Sequence, residues 1–190
     1  MNKNRKALVI FIAFVVIISY FLHQYYSDNY SNEGIFNHVT NRDGYSLTIK
    51  QEQVPVEFFV EPEWISFSED ERKELKIKVF ENYHTVIVID NVWNRGNDIY
   101  FSFHTTIKMK YKRGEFLYNG IFNEDGTFTS PSRGEIILYD KDQNHISFGQ
   151  HGYGPGADFS FGIQPEEQQY IQNGFYVKYT GYMLYGYSRK

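Results

Sequence analysis

Cysteine is missing from all 190 residues. That absence excludes disulfide frameworks, zinc-cysteine sites, thiol catalysis and Cys-linked lipid anchors. An excess of positive charge is missing too. Lysine and arginine number 19 against 23 aspartates and glutamates, a formal net charge of -4. Binding phosphate backbones usually needs a basic face, so no nucleic-acid partner is expected. The common catalytic signatures are also lacking: there is no G-x-S-x-G, no S-x-x-K and no H-E-x-x-H. None of the six histidines (His23, His38, His84, His104, His145 and His151) lies four residues from another, so a zinc helix has no support. With 42% hydrophobic and 22% charged residues, the chain has the composition of a folded domain rather than a disordered one.

What is present begins with an apolar run. Lys3, Arg5 and Lys6 precede ALVIFIAFVVIISYFL, Ala7 to Leu22. As a helix this run rises roughly 24 Å, a little short of the ~30 Å hydrocarbon core of a bilayer. Tyr20, Tyr25 and Tyr26 extend it, because aromatic rings settle at the membrane-water boundary. A cleaved signal peptide would carry a shorter apolar stretch ending in small residues. This one ends in Tyr20-Phe21-Leu22-His23-Gln24-Tyr25-Tyr26. There is no Glu near its start and no Gly before it, which argues against a type IV pilin. A helix apolar on every face would need a larger body around it to be buried in a soluble core.

The expectation is therefore an uncleaved signal anchor in three parts. Residues 1–22 form a cytoplasmic tip and a single transmembrane helix, 23–43 a linker, and 44–190 an extracytoplasmic β-rich domain. The basic residues on the amino side keep that end in the cytoplasm. Without Lys3, Arg5 and Lys6 the remainder is more acidic than the whole, which suits a body held off anionic lipid on a stalk. His23 to Asp43 is rich in Asn, Ser and Tyr and has no sustained period, as a linker does.

From Tyr45 onward the period is mostly two. Across Asp98 to Lys112, Ile99, Phe101, Phe103, Thr105, Ile107, Met109 and Tyr111 share one parity. Tyr100, Ser102, His104, Thr106, Lys108 and Lys110 take the other, so one long half-buried strand is predicted. His84 to Asp90 is apolar enough for a central strand. Further strands are predicted over Phe116 to Phe122, Glu135 to Tyr139, His145 to Phe148, Asp158 to Ile163 and Phe175 to Tyr187. Between them Asn94-Arg95-Gly96-Asn97, Asp125-Gly126, Asp140 to Asn144 and Asn173-Gly174 supply turn chemistry. Short strands punctuated this way predict a mainly β fold, an antiparallel sandwich or barrel. Ser68-Glu69-Asp70-Glu71 matches a capping box and predicts one or two helical turns before a strand, and a second short turn is expected after Pro165.

Glu135 to Asp140 reads EIILYD, with KDQNHI behind it. This resembles the FxLYD class of bacterial extracytoplasmic β-sandwich domains, with Ile136 in place of the leading Phe. The resemblance covers Phe116 to Tyr187. It implies an immunoglobulin-like antiparallel sandwich in which a strand ending in Leu138-Tyr139-Asp140 enters a tight hairpin. It brings no catalytic residues with it.

The remaining constellations assign no chemistry. Asp140, Asp142 and Asn144 open like a calcium loop, but the sixth position is His145 where Gly is needed, and the twelfth is His151 where Glu is needed. Gly149 to Gly156 lacks the lysine and helix of a phosphate loop and reads as an inter-strand loop of a composition that ligand-contacting loops use. Glu166 and Glu167 are adjacent, so an extended segment would point them apart. The chain holds 17 Tyr and 17 Phe. Tyr176 and Tyr182 have one parity while Tyr179, Tyr185 and Tyr187 have the other, more than one strand can bury against one core. Some are then exposed, covered by another element or used against a partner. No catalytic, cofactor-binding or metal residue is assigned and no cofactor is expected. The expected role is a binding or interaction module at the cell envelope, with an envelope protein or polymer as ligand. An envelope hydrolase with a carboxylate-based site and a structural subunit of a membrane complex stand as alternatives.

Overall fold

Along Ile99 to Ile107 the parity of the sequence becomes the parity of burial: Ile99, Phe101, Phe103 and Thr105 are buried, while His104 and Thr106 are exposed. The computed structural model describes residues 3–125, 127–129 and 135–190, and the side chains of 3–10 and 155 lie outside that description. In chain order the elements are α1 (Lys3–Tyr30), α2 (Asn32–Thr40), β1 (Tyr45–Val60), β2 (Arg72–Asn82), β3 (Thr85–Asn94), β4 (Ile99–Ile107) and β5 (Arg113–Tyr118). Then come β6 (Ile121–Phe122), β7 (Phe128–Thr129), β8 (Ile136–Tyr139), β9 (His145–Ile146), β10 (His151–Tyr153), β11 (Phe159–Ile163) and β12 (Phe175–Arg189). Short 3-10 turns cover Pro62–Trp64, Pro155–Ala157 and Pro165–Ile171.

Two five-stranded antiparallel sheets pack against one another in a sandwich-like arrangement. In the first, β12 is the spine. It pairs with β1 along one side, and along the other with β8 at its start and β5 at its end, while β9 extends β8. The second runs β10-β11-β4-β3-β2, with β3 inside as its apolar sequence requires. Rings cross between the sheets: Phe58 meets Phe103 at 5.3 Å, Phe175 meets Phe101 at 5.3 Å, and Tyr179 stacks on Phe159 at 4.8 Å. Each such buried ring contributes about 1.5–3 kcal/mol by leaving water.

Tyr179, Tyr182, Tyr185 and Tyr187 of β12 are buried by two devices. Tyr179 lies opposite Val56 and Tyr182 opposite Val54, so β12 carries one residue more than β1 over that interval. That bulge reverses the parity. It brings Tyr179 and Tyr182 together at 4.8 Å, both buried. Beyond it, Tyr185 stacks on Phe116 at 5.4 Å, and α2 lays Phe36 against Phe116, Tyr118 and Phe122. Another element thus packs over the ring cluster that buries Tyr185, one of the three outcomes the parity left open.

Several expectations need correction. The segment 23–43 is not an irregular linker: α1 continues through Tyr30, and α2 follows at once. The Ser31 hydroxyl caps α2 by accepting from Gly34 N–H at 3.0 Å, and Ile35 and Val39 bury the helix face. Two apolar residues four apart are too short a period to stand out. The expected transmembrane helix over Ala7 to Leu22 is a stretch of α1, but its first residues lie where side chains are not described. Among the described residues no helix is long and apolar enough to cross a membrane. Past Leu22 the helix turns polar, with His23, Gln24, Ser27, Asp28 and Asn29.

The strand expected over Asp98 to Lys112 ends at Ile107, because side chains beyond it take backbone donors. Met109 N–H donates to Asn32 Oδ1 at 2.9 Å, and Lys110 N–H to the Tyr187 hydroxyl at 2.6 Å. Phe116 to Phe122 is broken at Asn119-Gly120 into β5 and β6. Ser68 to Glu71 makes a turn and no helical element, with Glu71 N–H on the Ser68 carbonyl at 3.1 Å. The 3-10 turn after Pro165 and the β8–β9 hairpin after Asp140 form as expected. Gly126 of the expected Asp125-Gly126 turn lies outside the described residues.

Candidate functional site

The β2–β3 hairpin turns through Tyr83 and His84, at φ 49° and 54°. Two consecutive positive φ values match a type I′ turn, which favours Asn-Gly. A side chain with Cβ in that region costs roughly 1–2 kcal/mol per residue. The turn is held by Asn82 Oδ1, which accepts from Tyr83 N–H at 2.8 Å, and by the His84 carbonyl, which accepts from Lys108 N–H at 2.7 Å. His84 Nδ1 lies 3.2 Å from the Glu115 carbonyl. A carbonyl only accepts, so the proton sits on Nδ1 and leaves Nε2 available.

That imidazole lines a groove of about 570 Å³. Its floor and walls come from β1 (Ser46, Thr48, Lys50), the end of β12 (Gly186 to Ser188), β5 (Arg113 to Glu115) and Lys110. Lys50 pairs with Glu115, and Tyr187 clasps the basic segment by accepting from Lys110 N–H and donating to the Lys110 carbonyl at 2.9 Å. Burial raises the Tyr187 phenol above its ordinary range, so it stays neutral as it does so. Lys110 and Arg113 are exposed and have no ion-pair partner among the described residues. Two unopposed cations and an imidazole suit an anionic group that also accepts hydrogen bonds, while the Ser46 and Thr48 hydroxyls donate to the Ser188 and Gly186 carbonyls.

A smaller hollow of about 220 Å³ lies where Glu135, Ile136, Phe148, His151 and Tyr153 meet, at the glycine-rich loop. Its rings are T-shaped to one another, Phe148 to His151 at 6.0 Å and His151 to Tyr153 at 5.6 Å. The other singled-out residues are accounted for structurally. Asp140 accepts from the backbone N–H of Asp142 and Asn144 and from Asn144 Nδ2, at 2.8, 2.9 and 2.9 Å, and these bonds hold its carboxyl below the usual range. Glu167 accepts from Ser147 N–H at 3.1 Å. His104 lies 3.1 Å from Asp158, whose other oxygen accepts from Thr105 N–H at 2.7 Å. No group of three or more possible metal ligands occurs among the described residues.

The groove was not foreseen as a site. Of its residues, Lys110 stood among the strand residues of Asp98 to Lys112, and His84 opened the central strand. One signal was available: Lys108-Met109-Lys110-Tyr111-Lys112-Arg113, four cations in a short stretch of an acidic chain. Compared with family models, with curated proteins and with solved structures, the chain has no significant match in any of the three.

Proposed function

We propose that this chain is an immunoglobulin-like β-sandwich tethered to a cell membrane through α1, with its amino terminus in the cytoplasm and its body outside. Its role is that of a binding module of the cell envelope, and its groove takes an anionic group. The observation that carries the reading is the groove itself, where Lys110 and Arg113 stand unopposed in a chain of net charge -4. The tether is supported by the described part of the apolar run: Phe11, Phe14, Phe21 and Leu22 are 64%, 59%, 65% and 63% exposed, so the sandwich does not cover them. Lipid would cover such side chains at a gain of about 1.5–3 kcal/mol each. The chain enters the β8–β9 hairpin directly after Leu138-Tyr139-Asp140. Carboxylate chemistry has less behind it. Glu81, Asp125 and Asp140, the carboxyls clearly displaced from the usual range, all lie below it, whereas a general acid needs a raised one.

Two measurements test the reading. Tagged full-length chain should resist carbonate extraction from membranes, and protease added to intact cells should remove the body. An intact cytosolic chain overturns the tether. In detergent, the full chain should bind inorganic polyphosphate, and Lys110→Ala with Arg113→Ala should weaken that binding severalfold. Equal affinity in the double variant overturns the groove.

A further inference from the structure

The groove opens beside the point where α1 leaves the sandwich. Tyr30, the last residue of α1, stacks on Tyr111 at 4.7 Å, and Arg189 covers the same ring at 4.3 Å. Met109, two residues away, donates its N–H to Asn32 at the start of α2. The segment Lys108 to Arg113 is thus fastened to the helix end on one side and forms the groove wall on the other. Charge at this end of the body runs opposite to the chain as a whole. Glu81 is shared between Lys78 and Lys108, Glu115 pairs with Lys50, and Asp43 lies against His38. Lys110, Lys112, Arg113, Arg189 and Lys190 are all exposed and have no ion-pair partner among the described residues. The acidic residues of the two helices are only Asp28 and Glu33.

Resting on the tethered reading, we propose that this face docks on the membrane that holds α1, with anionic phospholipid headgroups as the ligand of Lys110, Lys112, Arg113 and Arg189. Leu22, where the apolar run stops, and Tyr30 are separated by about 12 Å of helix. That distance is close to the screening length of about 8–10 Å at ordinary ionic strength. Cations held there feel the surface charge of an anionic bilayer, and each strengthens binding about fivefold. The body then lies against the surface instead of standing away on a stalk, although its net charge alone would predict repulsion. A lipid surface is favoured over a soluble polyanion because the patch is bonded to the element that enters the bilayer.

The test uses the full-length chain in vesicles of phosphatidylcholine alone or mixed with phosphatidylglycerol. Carbonate resistance reports the tether, and the rate of lysine acetylation, read by mass spectrometry, reports docking. Lys141, in the hairpin at the far end of β12, is the internal reference. With anionic lipid, acetylation of Lys110 and Lys112 should slow about fivefold or more relative to Lys141. High salt should restore it, and Arg113→Gln with Arg189→Gln should diminish the protection. Equal rates in both lipids overturn the docking while leaving the tether intact. Protection in neutral vesicles on adding inorganic phosphate alone also overturns it, in favour of a free-anion site. Loss of the chain on carbonate washing overturns the tether, and protection on anionic vesicles before the wash then still decides whether the face binds lipid.

Discussion

The hydroxyls of Thr105 in β4 and Tyr182 in β12 lie 3.0 Å apart, and both reach the Ala157 carbonyl, at 3.0 and 3.1 Å. Three contacts share two protons, so one of them is always without hydrogen. This knot ties one sheet to the other through a loop residue that is fully buried. Tyr182→Phe should cost only about 0.5–1.5 kcal/mol, because Thr105 still supplies the carbonyl. Thr105→Val should cost a similar amount by the same logic. The double variant strands a buried acceptor and should lose about 1–3 kcal/mol beyond the sum. Denaturant midpoints of the four proteins form the cycle, and strict additivity would refute the shared acceptor.

Gly34 sits where α2 turns against α1, and a Cβ there would run into the backbone carbonyls of Ser27 and Asp28. Backbone cannot step aside as a flexible side chain can. Gly34→Ala should therefore open the corner at a cost of about 1–3 kcal/mol. The expected signature is local: faster amide exchange at Met109 and Lys110, with the sandwich melting nearly as before. Unchanged exchange at those amides would show that the corner does not need glycine.

Asp140 spends its carboxylate on three protein donors. Asp140→Ala should loosen the β8–β9 hairpin and cost about 1 kcal/mol. Calcium, despite the opening D-x-D-x-N spacing, should not raise the melting temperature of the parent protein. A calcium-dependent rise lost in Asp140→Ala would contradict that account of the loop.

Burial pushes the Tyr179 and Tyr182 phenols far above their ordinary range, and burial followed by the nearby Glu57 carboxylate raises Tyr139 to about 12. Phenols with raised values in the folded state contribute fully below the unfolded value of about 10. Above it the unfolded chain sheds protons that the folded chain keeps, so stability falls as pH climbs through the folded values. The buried phenols should ionise only together with loss of the β-sheet signal in circular dichroism. If every tyrosine ionised while that signal stayed native, the burial would be wrong.

Much of the strand content was legible in the sequence because alternation over Ile99 to Ile107 and the apolar density of Thr85 to Ile89 are local properties. What stayed hidden was decided by distant side chains. Past β4, Asn32 and Tyr187 claim the amides of Met109 and Lys110, and neither residue is near Lys110 in sequence. The bulge between Tyr179 and Tyr182 leaves no mark on the residues around it beyond Gly181, so parity alone could not show that both rings share a core. The groove escaped notice for the same reason. Its cations are ordinary one by one, and only the meeting of β1, β5, β12 and the β2–β3 hairpin makes them neighbours.

The stack of Tyr30 on Tyr111 fastens the end of α1 to the sandwich, and Gly34 closes the bend between the two helices below it. A rigid joint of this kind would swing the β-domain through the same angle as the helix. A molecule joined this way samples little space on its own, and whatever it engages must come within arm's length. Lengthening the corner by a few glycines would give it a swivel, and with it a different set of neighbours.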